Sequence, residues 1–155
     1  MSKLAEPLAT ELAATCFHTI ETILERRSEA DFEQLQAVLQ DDNVDQILKQ
    51  NAITLLGRWG RPEAASNIIE LLPMLNEREL INAIDALGRL GTPEAVASVL
   101  EQSHHPSPDV RRFTAYALDR AATPPALARL QEMAEVDSAD FVRNKAQNLL
   151  DQQGN

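Results

Sequence analysis

One block of sequence returns every 31 residues, and that return constrains the fold more than any other feature. Residues 51–64 align with residues 82–95, sharing Asn51/Asn82, Leu56/Leu87, Gly57/Gly88, Arg58/Arg89, Gly60/Gly91, Pro62/Pro93 and Glu63/Glu94. A further shift of 31 reaches residues 113–126, which lack the glycines but keep Leu118, Arg120, Pro124 and Ala126. A weaker copy, residues 142–150, matches residues 110–118 at a shift of 32. Periods of this size mean stacked supersecondary units, each covering the apolar face its neighbour leaves open.

Each unit reads as two helices. The first carries apolar residues at helical spacing, as in Leu48, Ala52, Leu55 and Leu56, or Val110, Thr114, Ala117 and Leu118. The spacing predicts that it stops at Gly57 or Gly88, where a left-handed residue carries no Cβ penalty. Pro62, Pro93 and Pro124 then open the second helices, with Thr92 and Thr123 as N-caps. Those helices bury Ala64, Ile68, Ile69 and Leu72, then Ala95, Val96, Val99 and Leu100, then Ala126, Leu127, Leu130 and Met133. Asn76 with Glu79 makes a capping box, and Ser107-Pro108-Asp109 opens another helix. Earlier, Ser28 and Asp31 start a helix with Phe32, Leu35, Val38 and Leu39 on one face. Its partner spans about residues 8–27, using Phe17, Ile20, Ile23 and Leu24. No segment alternates with the period of a strand. The count is four helix pairs plus a terminal single helix. The expected organisation is one domain over residues 1–155, with an N-terminal cap at about 4–42 and clear repeats at about 43–150.

These residues resemble a known family. The pattern Val-Arg-x-x-(Ala/Thr)-x-x-Ala-Leu-Gly-Arg-Leu-Gly-x-Pro-Glu-Ala, assembled from residues 110–120 and 87–95, is similar to the short HEAT-like repeat of the phycobilisome-lyase type. The resemblance implies a right-handed α-solenoid with first helices on the convex side and second helices on the concave side. It implies a binding scaffold or chaperone-like adaptor. It also admits a bilin lyase-like or chromophore-handling subunit, since some members attach or detach bilins. The short chain and its single cysteine depart from that group. A tetratricopeptide array does not fit the 31-residue period or the Gly-x-x-Gly-x-Pro turn.

The repeat also aligns surface positions. Glu70, Glu101 and Glu132 form one column, which Gln40 extends if the first unit is one residue short. Glu63 and Glu94 form another, broken at Pro125. With Asn67, Ser98 and Arg129 between them, these residues are the candidate protein-binding set of an acidic inner face. Such a face attracts a partner with a basic surface. Arg58, Arg89 and Arg120 complement helix C-termini and are expected to pair with Glu63 or Glu94. Arg111 and Arg143 are expected to pair with Asp109, Asp140 or acids of neighbouring units. Trp59 reads as core near a turn. Phe113 reads as core too, although with Tyr116, Arg111 and Arg112 it would also fit an exposed patch.

Charge and motif exclude several function classes. Fourteen basic against 24 acidic residues give a net charge of −10, which repels nucleic acid. No catalytic constellation, phosphate loop or cofactor motif is present. Cys16 reads as a lone buried thiol and His18 as a surface residue. His104 and His105 read as an exposed loop rather than a metal site. No stretch suits a membrane span or signal peptide, so a cytoplasmic protein is expected. The reading is a non-catalytic scaffold binding another protein, with self-association as a further alternative.

Overall fold

The computed structural model describes residues 17–154, with side chains from residue 21 onward. Cys16 and the side chains of Phe17, His18 and Ile20 lie outside the described residues. The described chain is all-α, without a strand. First helices are α1 (Phe17–Arg26), α3 (Gln46–Trp59), α5 (Glu77–Leu90), α7 (Pro108–Ala121) and α9 (Asp140–Gln153). Second helices are α2 (Glu29–Gln40), α4 (Ala65–Leu71), α6 (Pro93–Gln102) and α8 (Pro124–Val136). First helices pack on first helices and second on second, and each second helix packs on the first helix of the following unit. This is an α-solenoid of four helix pairs closed by a single helix.

The caps follow the residue types. Asn76 Oδ1 accepts from Glu79 N and Glu79 Oε2 accepts from Asn76 N, both at 3.0 Å, a complete capping box. Thr92 and Thr123 accept from Ala95 N and Ala126 N. Arg61 stands in the same column but cannot accept a hydrogen bond from its helix. Residues Pro62–Ala64 accordingly form a 3₁₀ turn before α4. Arg61 instead pairs with Glu29 at 2.6 Å and lies 3.8 Å over the Phe32 ring.

The expected helix stops at Gly57 and Gly88 are wrong. The left-handed caps are Gly60 (φ 79°), Gly91 (φ 63°) and, in the third copy, Ala122 (φ 51°). Gly57 and Gly88 lie inside α3 and α5 as contact points. A Cβ on Gly57 would meet Ala86 Cα at 2.7 Å, and one on Gly88 would meet Ala117 O at 2.8 Å. The helices therefore run one turn longer than expected, and neighbouring first helices touch backbone to backbone.

The core runs as one seam between the two layers. Ala52, Ile53 and Leu56, then Ala83, Ile84 and Leu87, then Thr114, Ala115 and Leu118 face Ile68, Val99 and Leu130. At the N-terminal end Ile23, Phe32, Leu35 and Leu39 are buried. Trp59 is 7 % exposed and packs against Phe32 in a tilted arrangement, ring centroids 5.7 Å apart, a core residue as expected. Phe113 is not: it is 36 % exposed. Its column holds Asn51 and Asn82 in the other copies, so the position lies at the rim of the interface.

Candidate protein-binding face

Residues 63, 67 and 70 and residues 94, 98 and 101 repeat the spacing that places three side chains on one helical face. Glu63, Glu70, Glu94 and Glu101 are exposed, whereas Asn67 and Ser98 are half-buried. Glu63, Glu70 and Glu94 meet around one depression of about 460 Å³ between α4 and α6, floored by Ile69. Asn67 accepts a hydrogen bond from Gln40 at 3.1 Å. Gln36 donates to the Glu63 carbonyl at 3.3 Å. These two bonds tie α2 to the edge of the face. The Glu63 carboxyl is held below its ordinary range, first by its own backbone N–H and then by Arg61, so it stays charged.

Arg129 does not belong to the open face. Its side chain is 15 % exposed. Nε donates to Ser103 Oγ at 2.8 Å, one Nη donates to the Ser103 carbonyl, and the other pairs with Glu132 at 2.7 Å. Ser103 is buried at the C-terminus of α6. Arg129 thus anchors that terminus and holds Glu132, which is exposed but already paired. The first-unit column also moves. The cap Ser28 matches Arg61 at a shift of 33, and buried Phe32, Leu35 and Val38 match Ala65, Ile68 and Leu71 at the same shift. Ala37, not Gln40, therefore occupies the Glu70 column.

Counted by layer, the charges separate. The second-layer segments (29–40, 62–74, 93–102 and 124–136) hold Glu29, Asp31, Glu33, Glu63, Glu70, Glu94, Glu101, Glu132 and Glu135 against Arg129 alone. Helices α3, α5, α7 and α9 hold Lys49, Arg58, Arg78, Arg89, Arg111, Arg112, Arg120, Arg143 and Lys145 against seven carboxylates.

The arginine columns pair differently from expectation. Arg58 binds Glu21 of α1, Arg89 binds Asp85 at 2.9 Å, and Arg120 reaches Asp85 at 3.6 Å. None reaches Glu63 or Glu94, because all three lie between first helices. Arg143 pairs with Asp140, and Asp109 pairs with Arg112. Arg111 makes a bidentate pair with Asp137, both bonds at 3.0 Å. Arg111 also donates to the His105 and Pro106 carbonyls at 2.9 and 3.0 Å. Burial raises the Asp137 carboxyl pKa. The Arg111 bonds, the Ala139 N–H and the charges of Arg111 and Arg129 outweigh it and lower the value. Sequence reasoning missed Asp137; its only signal was an acid just before a helix start.

His105 Nδ1 accepts from Ser107 N, and His104 contacts Arg129, so the histidines finish a loop. Among the described residues, no three His, Cys, Asp or Glu side chains cluster as metal ligands. No described helix is long and apolar enough to cross a membrane.

Comparison with known proteins bears on the fold. One chain from the solved complex of CpcE and CpcF of phycocyanin lyase from Nostoc sp. PCC7120 superposes with a TM-score of 0.74. It is 18 % identical, and the match covers 92 % of this chain and 97 % of that one. No curated protein sequence is significantly similar. The profile of HEAT repeats matches residues 32–101 and 76–151, spanning most of the solenoid and all three clear copies of its repeat. The chain belongs to the HEAT repeat family.

Proposed function

We propose that this protein is a non-catalytic scaffold that holds a partner protein with a basic surface along the outer face of its second helices. The observation that carries the reading is the imbalance on this layer: Glu33, Glu70, Glu94, Glu101 and Glu135 are exposed and make no ion pair among the described residues, while the cations beside them, Arg61 and Arg129, are already paired. A line of like charge focuses potential and accelerates encounter with an opposite charge. We take this face as the concave one, as the resemblance implies. Glu63, Glu70, Glu94 and Glu101 supply attraction, Asn67 and Ser98 supply hydrogen bonds, and Arg129 positions Glu132. The reading fits a cytoplasmic protein and needs no cofactor.

The test is a pull-down with mass spectrometry, comparing wild type with the triple variant Glu70→Lys, Glu101→Lys and Glu132→Lys. One protein captured by wild type, weakened by salt and lost in the variant is the expected result. Equal capture by both removes this face from the reading. Thermal melts of both proteins separate lost binding from lost folding.

A second reading is a bilin lyase-like or chromophore-handling subunit. Its support is the fold shared with the phycocyanin lyase complex over nearly the whole chain. Absorbance titration with a bilin, alone and with a co-encoded partner subunit, decides it. No spectral change in either mixture removes it.

A further inference from the structure

The opposite layer carries a patch that the fold does not require. Phe113, Tyr116 and Phe141 are 36 %, 37 % and 46 % exposed. They are three of the six aromatic residues in the sequence, gathered on α7 and α9. Phe113 and Tyr116 lie 6.1 Å apart. Cations interleave with them. The Arg112 guanidinium lies 4.9 Å from the Phe113 ring and 5.8 Å from Phe141, and the Lys145 ammonium lies 4.9 Å over Tyr116. Arg78 is exposed beside them and makes no ion pair or hydrogen bond among the described residues. A groove of about 430 Å³ runs between α5 and α7, lined by Ile81, Phe113 and Tyr116, by the cations Arg78, Arg112 and Arg120, and by one carboxylate, Asp85.

The repeat gives an internal control. Asn51 and Asn82 occupy the Phe113 column, and Thr54 and Asp85 occupy the Tyr116 column. Asn82 there bridges helices, donating to the Gln50 carbonyl and side chain at 3.1 and 2.9 Å. The same fold is thus built with small polar residues at both positions. In the third copy the bridge is replaced by half-exposed rings. Clustered exposed aromatics with arginine are the composition of an interface core, not of a solvated surface.

We infer that this first-helix patch binds an acidic segment of a partner protein that inserts an apolar side chain between α5 and α7. The charges select the class. Lys145 faces no carboxylate partner among the described residues, and Arg78 is likewise unpaired, so both are available to one. Arg112 and Arg120 are shared with Asp109 and Asp85. Those two carboxylates break any continuous basic track. A nucleic-acid backbone needs several cations in a row, whereas a short segment with spaced carboxylates needs only a few. The patch lies on the layer opposite Glu70 and Glu101, so it stands or falls apart from the reading above.

The experiment is fluorescence anisotropy with a fluorescein-labelled peptide of Glu residues interrupted by Leu and Phe. Wild type should bind saturably, and more weakly as salt rises. Phe113→Ser and, separately, Arg78→Glu should each weaken binding about tenfold. Arg78 is exposed, so Arg78→Glu should melt like wild type. Phe113 is 36 % exposed, so Phe113→Ser should melt lower and is assayed well below its own midpoint. Gln131→Ala, a neutral change on the opposite layer, should leave binding unchanged. No saturable binding by wild type overturns the inference. So does equal binding by wild type and both patch variants. Preferential binding of a labelled single-stranded oligonucleotide would overturn it in favour of nucleic acid.

Discussion

Replacing Gly88 by Ala sets two known effects against each other, and the structure decides between them. Intrinsic propensity favours Ala in a helix interior by about 1 kcal/mol. The new methyl, however, would lie 2.8 Å from Ala117 Cβ and O and 2.9 Å from Ala117 Cα. An ordinary carbon contact is about 3.5–4.0 Å, so α5 and α7 must part by close to 1 Å. Two of the three obstructing atoms are backbone and cannot rotate away. One overpacked methyl group costs about 1–3 kcal/mol, and a backbone obstruction belongs at the upper end. The net expectation is destabilisation by about 1–2 kcal/mol. For a chain of this size the melting midpoint should fall by about 2–8 °C, followed by far-UV circular dichroism. Adding Ala117→Gly should restore only part of the loss, because Ala117 Cα and O remain. A midpoint raised by Gly88→Ala would refute the close-contact account and show that helix propensity outweighs the obstruction.

Two further outcomes follow from the same framework. Ala122→Gly should stabilise the protein by about 0.5–1 kcal/mol, because Ala122 holds the left-handed conformation that Gly60 and Gly91 adopt without a Cβ; an unchanged or lower midpoint counts against strain there. Asp137→Asn should cost about 2–3 kcal/mol at neutral pH by leaving Arg111 without its buried carboxylate. The folded-state carboxyl titrates below its ordinary value, so its contribution is complete above about pH 4 and disappears as pH falls through the depressed value. Denaturant midpoints measured against pH should therefore show wild type and variant converging in acid, and parallel curves would contradict the ion-pair assignment.

What the sequence made legible is what the repeat duplicates. Periodicity located the helices. Thr92, Thr123 and Asn76 marked starts because capping needs an acceptor at a fixed offset. The misreadings share one origin: pairwise context that a single chain does not display. Gly57 and Gly60 look equivalent in a Gly-x-x-Gly string. Only the approach of Ala86 distinguishes a contact glycine from a left-handed cap. Arg129 fell into the binding column by register, yet Ser103 on the neighbouring helix claims it. The repeat register points Arg58 to a following Glu, but it pairs with Glu21, one unit earlier. For Phe113, apolar character outweighed the asparagines of its own column, although the column was the better guide.

The repeat also separates what the fold needs from what it merely carries. A position occupied by one residue type in successive copies is not thereby structural. The Glu70 column reads Ala37 in the first unit, and the Glu63 column reads Pro125 in the last. Helices form and pack at both places without the carboxylate. Aligned carboxylates repel one another, so local stability is no reason to keep them. The buried columns behave oppositely. Leu35, Ile68, Val99 and Leu130 all remain large and apolar, and all are buried, because a charge there would cost several kcal/mol. The acidic column and the aromatic patch therefore belong to one class. Both are surface features that the solenoid tolerates rather than requires, one repeated along the second layer and one confined to a single unit of the first.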